Sequence, residues 1–182
     1  MQASLSNDHP LHRWFRGLVE DAFFAHVGIC DPQLADYLAA MLCDFIHTDH
    51  IFLIRDAAGQ RLRQVAEMLA RAACPPGQSE RNHRRVLHRH IGDFTLFWTG
   101  IYPESLRRRS RSGEVLIDYL SQGKRSYAIA SELSSDAAPP PAALLRRLSE
   151  EFEACVHGLS LVRRGWEEQD PGSFSSTHAI LK

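Results

Sequence analysis

The residues best equipped for chemistry lie between Arg81 and Glu104, in the run RNHRRVLHRHIGDFTLFWTGIYPE. Asp93 is the only charge between Ile91 and Pro103, set among Phe94, Leu96, Phe97 and Trp98. A carboxylate in such company must be paired, because an unpaired buried charge is costly. On a helix, His90 and Arg89 lie three and four residues back, within reach. A His90–Asp93 pair would supply an acid/base couple or two ligands. An ion pair that only fixes helix geometry is the plainer reading. Tyr102, Tyr119 and Tyr127 follow, and a buried phenol needs a partner that Asp93 or Glu104 would provide.

Ten histidines raise the question of a metal. Asp44 and His47 form a DxxH, Glu80 and His83 an ExxH. On helices this spacing turns both ligands to one side, as carboxylate-bridged di-metal centres in bundles require, and Glu20 would add a carboxylate. Two facts weigh against it. Glu80 follows a Pro-Gly turn, where an acidic residue suits the helix dipole alone, and spacing this short arises by chance. There is no HExxH and no Cys-based zinc pattern. No cofactor is therefore expected, with a metal at these four residues as the alternative.

The arginines suggest an anion. Arg81, Arg84, Arg85 and Arg89 recur at helical spacing, and Arg107, Arg108 and Arg109 add a second basic run. Residues 81–125 hold ten basic and four acidic side chains, between acidic flanks, in a chain of net charge -1. Nucleic-acid binding through 81–111 is one reading, but no aromatic residues interleave with the arginines and no helix-turn-helix is evident. Pairing within the fold or across a dimer is the other. Phosphate-loop, dinucleotide and nucleophile-elbow motifs are missing.

Helical periodicity must position these groups. The segment 11–27 carries a stripe of Leu11, Phe15, Leu18 and Ala22 behind Pro10. Asp31 caps a second helix opened by Pro32 and ended near His47. Residues 50–55 read as a strand or a helical turn. Helices follow over 60–73, 79–99 and 114–133, the last with Gly123 as a kink or a join, and a short basic element spans 105–111. SSDAAPPP (134–141) is a proline-stiffened loop. Residues 142–168 read as one long helix, with Leu145, Leu148, Phe152, Val156, Leu159, Val162 and Trp166 three or four apart. Such a helix packs along a whole domain or forms a dimer seam. Residues 1–9 and 170–182 lack periodicity and read as loose tails.

The 182 residues thus read as one domain, an all-α bundle of about seven helices with a long C-terminal helix. No apolar run is long enough to cross a membrane, and the first residues lack a secretory signal. Cys30, Cys43, Cys74 and Cys155 are scattered as in reduced cytosolic proteins.

The segment GDFTLFWTGIYPESL (92–106), followed by Tyr119, Gly123 and Tyr127, resembles a pattern in uncharacterised bacterial helical proteins. The resemblance implies a helical fold and a bacterial cytosolic setting, and brings no activity, cofactor or site. With no catalytic motif, the leading expectation is a non-enzymatic cytosolic protein that acts by binding a partner, as a homodimer through its last helix. The alternatives are a metalloprotein or enzyme using the His/carboxylate residues, and nucleic-acid binding.

Overall fold

The computed structural model describes residues 9–46, 65–73, 80–109, 114–135 and 139–181. Among these there is no strand. Nine α-helices account for almost all of them: α1 (Pro10–Glu20), α2 (Pro32–Ile46), α3 (Val65–Ala73), α4 (Glu80–Gly100), α5 (Pro103–Arg109), α6 (Glu114–Leu133), α7 (Ala142–Glu150), α8 (Phe152–Gln169) and α9 (Pro171–Leu181). A π-helical stretch, Asp21–Val27, prolongs α1 and ends at Gly28, whose φ of 82° suits glycine. The chain is all-α, as its periodicity requires. The run at 50–55, the turn at 75–77, Cys74 and the first eight residues lie outside the described residues.

Side-chain caps start several helices. The His9 ring accepts from Leu11 N ahead of Pro10. Asp31 Oδ1 accepts from Gln33 N at 2.9 Å and Leu34 N at 3.3 Å, while Oδ2 meets Arg147 at 2.6 Å. One carboxylate thereby caps α2 and ties it to α7.

The centre of the molecule is α4, whose last ten residues are all buried. It packs most extensively on α6 and also meets α2, α3 and α8. Two threonines enter this apolar surrounding by bonding back to their own helix: Thr95 Oγ1 donates to Ile91 O and Thr99 Oγ1 to Thr95 O. The α4–α6 approach is set by glycines. A Cβ at Gly92 would lie 2.7 Å from the Tyr127 ring. One at Gly123 would lie 2.3 Å from Phe152 Cζ and 2.4 Å from Thr95 Oγ1. Gly123 is therefore no join between two helices: α6 runs unbroken through it, and the missing side chain lets Phe152 and Thr95 in.

The C-terminal part differs from its sequence pattern. The expected helix over 142–168 breaks at Glu151, with φ -101° and ψ 24°, into α7 and α8. Its stripe is spent inside the chain: Leu145, Leu148, Phe152, Leu159, Val162 and Trp166 are buried. Val156 of the same stripe is half-buried. Residues 171–181, expected as part of a loose tail, form α9, capped where Asp170 Oδ1 accepts from Ser173 N at 3.0 Å. Phe174 is buried, its ring 5.2 Å from Trp166 and 5.3 Å from Tyr102. No described helix is long and apolar enough to cross a membrane.

Candidate functional site

Burying a carboxylate in the centre of α4 is tolerable only if its oxygens find donors. Asp93 is 8% exposed, and two neighbouring helices supply them. Tyr37 on α2 donates its hydroxyl to Oδ1 at 2.5 Å, and Tyr127 on α6 donates to the same oxygen at 2.7 Å. Arg89, one turn earlier on α4, faces Oδ2 with Nε at 4.0 Å, a charge contact too long for a direct hydrogen bond.

Burial governs the protonation of this group. It pushes the Asp93 pKa up, against Arg89 and the two phenols, which favour the ionised form. The Tyr37 and Tyr127 hydroxyls are both driven well above the usual phenol range, by burial first and by the neighbouring carboxylate second. They serve as fixed hydrogen-bond donors and do not ionise near neutral pH. The arrangement is a locked clamp.

Above the clamp opens a cleft of about 530 Å³ between α2, α4 and the start of α7. Its floor is Asp93, Arg89 and Tyr37, and its apolar walls are Ala40, Met41, Leu144 and the prolines 139–141. Asp36 and Asp44 stand at the α2 side. Asp36 is held by Arg16 of α1 at 2.7 Å. The floor offers a carboxylate and a guanidinium side by side, so it matches a group that donates and accepts at once. Its volume lies within the range of small-molecule sites.

Of the residues singled out by sequence, Asp44, Arg89 and Asp93 come together here, and Tyr127 is the phenol that binds Asp93. His90 turns elsewhere: it is buried, its ring 5.7 Å from Phe45 and 6.4 Å from Phe94. Tyr119 packs on Phe94, and Tyr102 stacks on Phe174. Glu104 pairs with Arg163 at 2.6 Å, tying α5 to α8. Glu20 pairs with Arg16 on its own helix.

His83 is half-buried on α4, and its Nε2 has no hydrogen-bond partner among the described residues. His47 and the side chains of Glu80, Arg107, Arg108 and Arg109 lie outside the described residues. Among the described residues no three His, Cys, Asp or Glu side chains are grouped to hold a metal ion. Arg81 donates to the Leu133 and Glu132 carbonyls, and Arg85 to Asn82 Oδ1 and the Pro139 carbonyl.

Tyr37 was not anticipated. It lies off the apolar stripe of α2, on a face shared by Gln33, Ala40 and Asp44 at three- and four-residue spacing, which sequence alone assigns to solvent. No family model, curated protein or solved structure matches the chain.

Proposed function

We propose that this protein acts by binding, without catalysis, and that its partner is a small molecule seated in the cleft above Asp93. The observation that carries this reading is the clamp itself. Two phenols that stay protonated and a guanidinium hold one carboxylate in a fixed pose beneath apolar walls. A preorganised polar floor under an apolar mouth is the usual build of a small-ligand site. The ligand that fits combines an apolar body with a carboxamide or hydroxyl, which would bridge Asp93 Oδ2 and Arg89.

The setting in this reading is a reducing bacterial cytosol, supported by the buried thiols Cys43 and Cys155 and by the resemblance of segment 92–106. A homodimer would need a surface beyond the buried residues of the stripe of α7 and α8.

Native mass spectrometry of gently purified protein tests the proposal. The expected result is an adduct of small-molecule mass that Ala40→Trp, which fills the cleft, no longer carries. An adduct retained equally by that variant refutes the cleft as its seat. An adduct-free chain that also gives no saturable ligand-observed NMR signal with carboxamide or hydroxyl fragments refutes small-molecule binding.

A further inference from the structure

A second recess, of about 450 Å³, lies between the start of α4 and the end of α6, lined by Arg81, Asn82, Arg85, Leu133, Ser134 and Ser135. Among the described residues no carboxylate lines it. Both guanidinium groups are partly committed to carbonyls. Arg81 uses Nε and Nη2 at 3.4 and 3.2 Å on the end of α6, and Arg85 uses Nη1 at 3.4 Å on Pro139. These bonds brace the two side chains and leave Nη1 of Arg81 and Nη2 of Arg85 with no hydrogen bond among the described residues. Asn82 accepts from Arg85 through Oδ1, which leaves its amide hydrogens to donate. Ser135 adds an exposed hydroxyl.

The surrounding field has the same sign. Arg84 and Arg125 have no ion-pair partner among the described residues. Both act on the buried His88, whose charged form is disfavoured first by burial and then by these two arginines. Among the described residues none of these four arginines forms an ion pair, so internal pairing explains them poorly. Braced guanidinium forks with flanking amide and hydroxyl donors suit a tetrahedral oxyanion.

We propose that this recess is an anion site for the phosphate group of a small phosphorylated molecule, separate from the cleft above Asp93. Arg81 and Arg85 supply charge, and Asn82 and Ser135 complete the donor set.

The test titrates inorganic phosphate into the full chain at constant ionic strength, following the arginine Nε–H signals by NMR. Saturable shifts at Arg81 and Arg85 are expected. Ser135→Asp, which sets a like charge in the recess without disturbing the bracing bonds, should weaken binding about tenfold or more. Arg125→Gln, outside the recess, should weaken it less than about threefold, through the screened field alone. Unsaturable shifts, or equal losses in both variants, overturn the proposal. It is also overturned if a single-stranded oligonucleotide binds while inorganic phosphate moves neither arginine, since the face would then be a nucleic-acid surface.

Discussion

Replacing Tyr127 by phenylalanine deletes one of the two hydroxyls on Asp93 Oδ1, a 2.7 Å bond, and keeps the ring that lies against Gly92. A hydrogen bond to a charged group contributes about 1.5–3 kcal/mol and one between neutral groups about 0.5–1.5 kcal/mol. The ionised form of Asp93 therefore loses about 1–2 kcal/mol more than the protonated form, which raises its pKa further. The direction adds to what burial already does, since the folded-state pKa is raised. For a carboxylate raised on folding, the contribution to stability is complete below the unfolded value near ~3.9 and is lost as pH climbs through the folded value. Tyr127→Phe widens that window. It should destabilise by about 1.5–3 kcal/mol at a pH above the folded value, where Asp93 is ionised, and by about 0.5–1.5 kcal/mol at a pH below it, where Asp93 is protonated. Carboxyl carbon NMR titration gives the pKa, and urea unfolding at the two pH values gives the energies. An Asp93 pKa that stays still or falls, or equal losses at both pH values, refutes the assignment of Tyr127 as a donor to a buried carboxylate.

Gly123→Ala gains helix propensity of up to about 1 kcal/mol. The methyl meets Phe152 and Thr95 inside van der Waals distance, and overpacking of about 1–3 kcal/mol should win; a melting temperature at or above the parent's would contradict this. Asp170→Ala removes the cap of α9 and should cost about 1 kcal/mol, with faster amide exchange over 171–181 as the local sign; unchanged exchange there would show the cap idle. Burial pushes the Cys43 and Cys155 thiols to about 12, so at neutral pH both should resist a disulfide reagent until the chain unfolds, while exposed Cys30 reacts; mass mapping of the labelled sites decides.

Most of the helical frame is legible in the sequence because apolar stripes of period 3.6 and Asp-Pro starts are local signals. The failures are also physical. Asp170-Pro171 repeats the Asp31-Pro32 start, yet α9 has little apolar periodicity, being anchored by Phe174 against Tyr102 and Trp166, a contact made only in the folded chain. The break at Glu151 interrupts a stripe that continues across it, so periodicity cannot reveal it. At the site, Asp93 betrays itself as a lone charge in an apolar run, and Arg89 by helical spacing. Tyr37 comes from 56 residues away and Tyr127 from 34, distances over which spacing carries no information. His90 satisfies the same spacing rule as Arg89, but its side of the helix meets Phe45.

Tyr127 is constrained at both ends, its ring seated on Gly92 and its hydroxyl on Asp93. A larger residue at position 92 could be accommodated only by shrinking position 127, which would strip a donor from the carboxylate at 93. Drift at any one of the three is therefore blocked by the other two. In diverging copies of this chain, Gly92, Asp93 and Tyr127 should be inherited or lost as a unit, while the exposed Gln33 in the cleft lining is freer to vary and so to change what the cleft accepts.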